Sequence, residues 1–354
     1  MARAIRLARH GMFTTTPNPR VGCVIVNGTE IIGEGWHIQS GGDHAEIMAL
    51  KQAGNRARGA RCYVSLEPCI HIGKKTPPCT PALIQSGLSN VIVAMVDPNP
   101  RVNGKGLEQL NQAGIPAVSG LLQNEATTLN PGFIKRMSMG LPYVRCKLAV
   151  SLDGKTALAN GASQWITGEQ ARKDVQSLRA QSCAILTGIG TVLTDDPLLT
   201  VRDIETSRQP IRAVIDRQLR IPLNAKLFGS AGPVVIFTAN NDQTKHRQLS
   251  DKGATLVLID SKDFLPACLR HLAEKHEVNE VLIEAGPNLS GSMLNADLVD
   301  ELIVYQAAII LGDKARSMLE IPETTDLRNA IGMRLVDMRH IGADVRLTYH
   351  ANRT

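Results

Sequence analysis

Apolar and polar positions in the first 140 residues alternate between the period of a strand and the period of a helix. Apolar runs at 21–26 and 31–36 flank Asn27-Gly28, a dipeptide that favours a hairpin turn. Helical spacing covers 44–53, and the later patterns predict a strand at 62–66, a helix at 81–86, a strand at 91–96 and a helix at 123–137. This order predicts an α/β domain with a mixed sheet.

A new strand pattern, residues 143–150, begins just after Gly140-Leu-Pro142, and we place a domain boundary there. The predicted domains are therefore 1–140 and 141–354. The second pattern predicts a helix at 168–180 and strands at 183–187, 211–215, 234–237, 281–284 and 302–305. The second domain is again predicted to be α/β.

Composition indicates a globular protein of 354 residues, with 43% hydrophobic and 20% charged residues. Apolar runs of about 18 residues, which would predict a membrane span, do not occur. Seven cysteines, an odd number without dense spacing, favour reduced thiols or metal ligands and a cytoplasmic protein. The net charge of +6 falls entirely within residues 1–140, which hold 14 Lys and Arg against 8 Asp and Glu. A basic surface there could attract either a phosphate or a nucleic acid.

A metal site is indicated by His44-Ala45-Glu46 together with Pro68-Cys69 and Pro77-Pro78-Cys79. One imidazole and two thiols are common zinc ligands, and three protein ligands leave one tetrahedral position for water. Glu46 is the nearby carboxylate that could carry a proton for that water. We therefore predict one catalytic Zn²⁺ per chain, held by His44, Cys69 and Cys79.

The capping pattern around Cys79 adds a local expectation. Thr80 as N-cap and Pro81 as first helical residue would place Cys79 just ahead of a helix, where a thiolate is favoured. Two other interpretations stay open. The cysteines could be unrelated buried thiols, or a fourth ligand such as His71 or His37 could close a purely structural zinc site.

These residues resemble the zinc nucleobase deaminases, whose signature is H-x-E followed by P-C-x-x-C. Nine residues separate Cys69 from Cys79, where cytidine deaminases have two, and the flanking motifs are Pro17-Asn18-Pro19-Arg20-Val21-Gly22 and Asp97-Pro98-Asn99-Pro100. In these features the chain looks like the deaminase half of the bifunctional riboflavin-biosynthesis deaminase/reductase family. The resemblance implies a cytidine-deaminase-like fold for the first domain. It also implies that Asn18 and His37 contact the pyrimidine or ribosyl group, that His71 lines the pocket, and that Lys75 or its neighbour Lys74 meets the substrate phosphate.

Polar segments also stand at the predicted strand ends of the second domain, where ligands collect in α/β sheets. They are Ser151-Leu-Asp-Gly-Lys155, Ser163-Gln-Trp-Ile-Thr167, Thr191-Val-Leu-Thr-Asp-Asp-Pro197 and Glu284-Ala-Gly-Pro287. Gly188-Ile-Gly190 lacks the third glycine of a dinucleotide fingerprint, so a Rossmann fold is not supported. Taken residue by residue, these segments predict ligand loops and no more.

As an ordered set, the segments resemble the reductase half of the same family, a dihydrofolate-reductase-like α/β fold that uses NADPH. The resemblance implies that the dinucleotide is held by Ala149, Trp165, Thr191, Asp195, Gly286, Pro287, Asn288, Leu289, Ser290, Gly291 and Ser292. It implies that the substrate is held by Ser163, Arg179, Leu199, Arg202 and Glu284. Without the resemblance, Trp165 could be a core residue, Arg179 a solvated helix residue and Asp195-Asp196 a capping turn.

The implied enzyme removes ammonia from a diaminopyrimidinone ribosyl phosphate and then reduces the ribosyl to a ribityl chain with NADPH. Its partner is this small molecule, without nucleic acid or membrane, and a homo-oligomer (dimer or tetramer) is expected. The main alternative is a zinc-dependent nucleic-acid base deaminase with an accessory binding domain. Only 11 aromatic residues and a charge-balanced second domain weigh against it, because single-strand readers stack bases on aromatics. A zinc-stapled protein without catalysis is the other alternative.

Overall fold

The computed structural model describes residues 1–70 and 76–352. The chain forms two compact units, Met1–Leu141 and Pro142–Thr354. Each has its own sheet, and within the described residues no helix is both long and apolar enough to cross a membrane.

The first unit is built on a five-stranded sheet. Its helices are α1 Ala2–Ala8, α2 Ala45–Ala53, α3 Cys79–Gln85, α4 Lys105–Gln112, α5 Gln123–Leu129 and α6 Pro131–Met139. Its strands are β1 Gly22–Asn27, β2 Glu30–Trp36, β3 Arg61–Val64, β4 Asn90–Val93 and β5 Ala117–Ser119. They lie in the order β2-β1-β3-β4-β5, with β1 antiparallel to β2 and β3 and the last three strands parallel. The predicted hairpin and mixed sheet are confirmed.

Two glycines in β2 let α2 lie unusually close to the sheet. A Cβ atom on Gly33 would stand 2.2 Å from the carbonyl oxygen of Ala49, and one on Gly35 would stand 2.4 Å from that of Ala45. Backbone therefore meets backbone along this face, and Ala45 and Ala49 are fully buried there. This close packing sets the position of the N-terminus of α2, where His44 is the N-cap.

Two predictions about helix ends in this unit are wrong. Cys79 is the first residue of α3 and Pro78 is its N-cap, so Thr80 is not the cap. The Thr80 hydroxyl instead donates to the carbonyl oxygen of Cys69 at 2.9 Å. The helix predicted at 123–137 is interrupted at Asn130 because Pro131, which has no N–H to donate, begins a new helix, α6.

The second unit contains a nine-stranded sheet and a two-stranded one. Its helices are α7 Glu169–Gln181, α8 Ile189–Asp195, α9 Gln243–Asp251, α10 Phe264–Lys275 and α11 Pro287–Asn295. Its strands are β6 Tyr143–Val150, β7 Lys155–Ala157, β8 Ala184–Gly188, β9 Ile211–Ile215, β10 Val234–Thr238, β11 Ala254–Leu258, β12 Glu280–Ile283, β13 Glu301–Gln306, β14 Arg316–Ser317, β15 Met333–Ile341 and β16 Asp344–Ala351.

The large sheet has the order β11-β10-β9-β8-β12-β6-β13-β16-β15, and β7 pairs with β14 in the small one. The first seven strands of the large sheet are parallel, whereas β16 runs antiparallel to β13 and to β15. All carboxyl ends of the parallel strands therefore open on one edge, the edge at which α/β sheets bind ligands. The strands predicted from apolar runs are confirmed, but the β15–β16 hairpin was not predicted.

Candidate active sites

His44, Cys69 and Cys79 come together although 25 and 35 residues separate the two cysteines from the histidine. The His44 Nδ1 atom lies 3.1 Å from Cys79 Sγ and 3.4 Å from Cys69 Sγ. All three ligand atoms lie within 4.8 Å of one another. With ordinary Zn–N and Zn–S bond lengths, the ligand atoms of a tetrahedral centre stand about 3.6 Å apart. The residues therefore fit a zinc ion.

The two cysteine loops are locked to each other by backbone contacts. The carbonyl oxygen of Cys69 accepts hydrogen bonds from the backbone N–H groups of Cys79 and Thr80, at 3.1 and 3.3 Å, in addition to the Thr80 hydroxyl. The Cys79 thiol also donates to the sulfur of Cys69, and this contact lowers the pKa of Cys69 below its ordinary value. A lowered thiol pKa favours the thiolate, which is the form that binds a metal ion.

Glu46 is the second residue of α2 and is 3% exposed. Burial, followed by the nearby charge of Cys69, raises the pKa of its carboxyl to about 7. A carboxyl group poised in this range exchanges protons readily near neutral pH, as a general acid and base must.

His37 stands next to His44, and Asn18 bonds His37, but neither residue belongs to the metal cluster. The ring of His37 packs edge-on against His44, with 5.2 Å between centroids. Its Nδ1 bonds the carbonyl oxygen of Asp43 at 3.0 Å, so Nδ1 carries the proton. Burial lowers the pKa of His37, and its neutral Nε2 accepts from the Asn18 amide at 3.0 Å. Because both ring nitrogens are used, His37 is not a fourth ligand.

The candidate metal site has three predicted residues that the structure does not describe and one contact that was not predicted from the sequence. His71, Lys74 and Lys75 lie outside the described residues. Thr76 was not predicted, yet its hydroxyl lies 3.1 Å from His44 Nε2. If Nδ1 binds the metal, Nε2 carries the proton and donates to Thr76, an arrangement that typically orients metal-bound histidines.

Glu67 is a second residue that the sequence pattern did not reveal. It is 3% exposed, and its carboxylate accepts hydrogen bonds from four backbone N–H groups. The donors are Asp97, Gly104, Gly106 and Leu107, at 2.8 to 3.3 Å. Glu67 stands two residues before Cys69, so it connects the cysteine loop to the segment that contains Asp97-Pro98-Asn99-Pro100.

The second unit has a cavity of about 1480 Å³ at the carboxyl ends of β6, β8, β9 and β12. Ligand cavities usually measure 300–1000 Å³, so this one can hold a dinucleotide and a second molecule together. The predicted residues on its wall are Ala149, Ser163, Trp165, Arg179, Thr191, Asp195, Leu199, Arg202, Glu284, Gly286, Pro287, Asn288 and Leu289. Ser290, Gly291 and Ser292 are not part of the wall. Gly291 instead packs against the backbone of Glu320, where a Cβ atom would stand 2.1 Å from its carbonyl oxygen.

Arg179 is held in the cavity by a two-pronged ion pair. Its Nε and Nη2 atoms donate to the two carboxylate oxygens of Glu284 at 2.6 and 3.0 Å, and Nη1 donates to the Thr200 carbonyl at 2.9 Å. Lys147, which was not predicted, also lines the cavity. Burial lowers the pKa of Lys147, while the Glu284 carboxylate acts in the opposite direction.

Three wall residues had an alternative to a binding role in the sequence analysis. The structure contradicts the alternative for two of them and supports it for the third. Trp165 is 67% exposed, so it is not a core residue, and the guanidinium of Arg172 stacks 4.6 Å from its ring centroid. Arg179 is largely buried rather than solvated. Asp196 is the C-cap of α8 and its carboxylate accepts from the Lys226 backbone N–H, so the capping interpretation holds for that residue.

Comparison with known proteins assigns a family to each half of the chain. Residues 1–95 match the model of the cytidine and deoxycytidylate deaminase zinc-binding region. Residues 142–347 match the model of the RibD C-terminal domain.

Full-length relatives match almost the whole chain. The riboflavin biosynthesis protein RibD of Escherichia coli strain K12 is 48% identical over 98% of this chain and 97% of its own length. The Acinetobacter baumannii RibD structure, form 1, superposes with a TM-score of 0.94 at 42% identity, over 99% of this chain and 98% of that one. A structure from Thermotoga maritima, described as a diaminohydroxyphosphoribosylaminopyrimidine deaminase/5-amino-6-(5-phosphoribosylamino)uracil reductase, gives a TM-score of 0.88 at 33% identity, over 99% and 97% of the two chains.

Fold, site and relatives together define a zinc-dependent deaminase joined in one chain to an NADPH-dependent reductase. The chain belongs to the RibD family of bifunctional deaminase/reductases, and it acts in riboflavin biosynthesis. These matches favour the bifunctional enzyme over the nucleic-acid deaminase.

Proposed function

We propose that residues 1–140 deaminate a diaminopyrimidinone ribosyl phosphate and that residues 141–354 reduce the deaminated product. The observation that carries the first half is the convergence of His44, Cys69 and Cys79, with Glu46 buried beside them. The observation that supports the second is one cavity that holds a charged arginine–carboxylate pair and has room for two ligands.

In the deaminase site, His44, Cys69 and Cys79 would hold zinc. Zinc, when bound, supplies a Lewis acid that makes water nucleophilic near neutral pH. Glu46 would take a proton from the attacking water and return it to the departing amino group, so that one water is consumed and one ammonia leaves. Asn18, oriented by His37, would bind the pyrimidine or ribosyl group. By resemblance, His71 and Lys75 complete this pocket.

In the reductase cavity, the residues named above would hold the dinucleotide and the open-chain sugar. NADPH, when bound, supplies the hydride that reduces the sugar carbon C1. Arg179, fixed by Glu284, would orient oxygen atoms of the substrate, and Arg202 would bind its phosphate. Reduction also requires a proton, and Lys147 is a titratable group on the cavity wall that can donate it.

We further propose a homo-oligomer, dimer or tetramer, in the cytoplasm. β15 is an edge strand of the large sheet, and Leu335, Val336 and Met338 on it are 49%, 37% and 65% exposed. Exposed apolar edge strands favour pairing with another chain. A Met338→Lys variant should therefore shift the mass measured by sedimentation toward the monomer. The cytoplasmic location is supported by cysteines that are all free in the structure.

The test of the two activities gives purified protein the diaminopyrimidinone ribosyl phosphate, with and without NADPH, and follows ammonia and cofactor oxidation separately. Glu46→Gln should lower ammonia release roughly 100-fold or more, while zinc content measured by atomic absorption stays at one per chain. Glu30→Gln, an exposed carboxylate paired with Arg56, is the matched control and should change neither quantity. Unchanged ammonia release in Glu46→Gln would remove the proposed proton carrier.

A further inference from the structure

Glu67 is a buried carboxylate that the proposed function does not use. Its Oε1 atom accepts the backbone N–H groups of Gly106 and Leu107, at 2.8 and 3.3 Å. Its Oε2 atom accepts those of Asp97 and Gly104, at 3.0 and 2.9 Å. Each oxygen therefore holds two backbone donors, and the side chain joins segments that are 30 to 40 positions apart in the sequence.

The Glu67 carboxylate caps the N-terminus of α4. Gly106 and Leu107 are the second and third residues of this helix, and N–H groups at these positions have no partner within a helix. A cap normally comes from the residue that precedes the helix, but here that residue is Gly104, which has no side chain. A carboxylate at this end also interacts favourably with the helix dipole. The start of α4 is therefore bound to the segment that leads to the zinc site.

Only Pro68 lies between Glu67 and the proposed zinc ligand Cys69. The proline ring fixes one backbone angle, and the Pro68 carbonyl oxygen packs against Gly106, where a Cβ atom would stand 2.4 Å away. On the other side, the carbonyl oxygen of Cys69 accepts the backbone N–H of Cys79, the first residue of α3. Cys69 is therefore held from both sides, by Glu67 and α4 before it and by α3 after it.

The position of Cys69 affects both metal binding and turnover. A ligand that is fixed in advance loses no conformational entropy when the metal binds, and fixing the backbone of one residue changes an equilibrium by a factor of roughly 5 to 30. A misplacement of about 1 Å can also cost roughly 100-fold in rate. The Cys69 sulfur helps to set where the metal stands relative to Glu46, which is itself fixed as the second residue of α2.

We propose that Glu67 is a positioning residue for deamination. By capping α4 and binding the segment that follows β4, it holds Cys69 where the zinc ion must stand relative to Glu46. Glu67 acts through Cys69 and not on the substrate. This inference rests on the proposed zinc ligands His44, Cys69 and Cys79.

Glu67→Gln tests this role, because it keeps the shape of the side chain but replaces one acceptor oxygen by an NH2 group. Two of the four backbone N–H groups then face a donor in either orientation of the amide. We expect zinc affinity, measured by competition with a chromophoric chelator, to fall roughly 5- to 30-fold. In zinc-saturated protein the kcat for ammonia release should fall roughly 10- to 100-fold, while the KM for the diaminopyrimidinone ribosyl phosphate changes little.

Cobalt spectroscopy separates positioning from a merely structural role. Co²⁺ can replace zinc at tetrahedral sites of nitrogen and sulfur ligands, and its visible absorption depends on the coordination geometry. The bands of Co²⁺-loaded Glu67→Gln should therefore differ in position or intensity per bound ion from those of the wild type. If Glu67 only stabilised the fold, the folded variant would keep the wild-type spectrum, zinc affinity and kcat, and this result would overturn the proposal.

Gly106→Ala displaces the same loop by a second route, because the added Cβ atom would meet the Pro68 carbonyl oxygen. It should also alter the Co²⁺ spectrum and weaken zinc binding, and it decides the question if Glu67→Gln does not fold. Glu108→Gln is the matched control, since it removes an exposed carboxylate of α4 that bonds only toward the helix surface residue Gln112. It should leave zinc affinity, spectrum and kcat at their wild-type values.

Cys69→Ser distinguishes a failure of this inference from a failure of the proposed ligand set. If Cys69→Ser keeps wild-type zinc affinity, Cys69 is not a ligand and the ligand set itself is wrong. If Cys69→Ser loses zinc while Glu67→Gln and Gly106→Ala keep the wild-type affinity and Co²⁺ spectrum, only the positioning role of Glu67 fails.

Discussion

At the scale of single residues, Thr76 contacts the predicted zinc ligand His44. Its hydroxyl is the partner of His44 Nε2, at 3.1 Å. Removing such a partner usually costs 10- to 100-fold in metal affinity, because the imidazole loses both its orientation and part of its basicity.

We therefore expect Thr76→Val, which keeps the shape of the side chain, to weaken zinc binding by roughly 10-fold or more. Competition with a chromophoric chelator measures this affinity directly. Thr127→Val is a suitable control, because the Thr127 hydroxyl is exposed and bonds the carbonyl of Gln123 within its own helix. Equal zinc affinity in wild type and Thr76→Val would show that the Thr76 contact does not support the ligand.

Glu284 and Arg179 provide a prediction about pH. Burial alone would raise the pKa of Glu284, but the adjacent guanidinium outweighs it and the pKa is below the ordinary value of 4.5. The folded protein thus binds fewer protons at this carboxyl than the unfolded chain does. The stabilisation is complete above a pH of about 4.5 and disappears as the pH falls through the lowered pKa.

Glu284→Gln should lower the free energy of unfolding at neutral pH by about 3 kcal/mol, because it leaves Arg179 charged, largely buried and without its carboxylate. Its stability should also decrease less than that of the wild type as the pH is lowered below about 5. Urea unfolding at several pH values measures both effects. Asp326→Asn, which breaks an exposed ion pair with Arg328, should change little. If the free energy of unfolding had the same pH dependence in Glu284→Gln and in the wild type, the lowered pKa of Glu284 would not contribute to stability.

At the scale of secondary-structure elements, the approach of α2 to β2 decides where the metal ligands stand. Gly35 allows the contact, since a Cβ atom there would lie 2.4 Å from Ala45 O and 2.6 Å from Met48 Cβ. The helix that begins after His44 cannot stay in place if the strand beneath it gains a side chain.

We expect Gly35→Ala to destabilise the first unit by about 1–3 kcal/mol, the usual cost of overpacking, and to weaken zinc binding as well. Chemical denaturation and chelator competition give the two values. Gly229→Ala is the control, because a Cβ atom there meets no atom within 4 Å. Wild-type stability in Gly35→Ala would mean that α2 can move away without cost.

Element by element, the hydrophobic pattern was most informative where strands are buried on both faces. β9 was predicted at its observed bounds, 211–215, because four of its five residues are apolar, as is typical of a buried parallel strand, although Arg212 interrupts the run. β15 was missed since most of its residues are exposed, so no alternation of apolar and polar positions marks it. Pro131 shows a further limit of the hydrophobic pattern. Helical spacing of the apolar residues continues across Pro131, but the helix itself is interrupted there and a new helix begins.

At the scale of the whole molecule, two units carry two sites in one chain. The zinc ligands all lie in Met1–Leu141, and every residue lining the reductase cavity lies in Pro142–Thr354. The two activities should therefore be separable by substitution.

We expect Glu46→Gln to stop ammonia release while NADPH oxidation continues at the wild-type rate when the deaminated product is supplied. Arg179→Ala should show the converse, with ammonia release intact and reduction strongly impaired. Parallel assays of both variants with both substrates measure the separation. Loss of both activities in either variant, with zinc content and thermal unfolding unchanged, would show that the two sites depend on each other.

The sequence by itself determined the chemistry of the first site, because zinc deamination requires particular ligand types and a carboxylate. His44, Glu46, Cys69 and Cys79 could be named from motif and spacing, and the family resemblance named thirteen residues that line the cavity, about a third of its wall. Only the tertiary structure decided which groups meet. Arg179 and Glu284 are 105 residues apart, and Thr76 and Glu67 act through contacts that no local pattern encodes. Such pairings arise because folding brings distant segments to one sheet edge, and periodicity records only which face of each segment is buried.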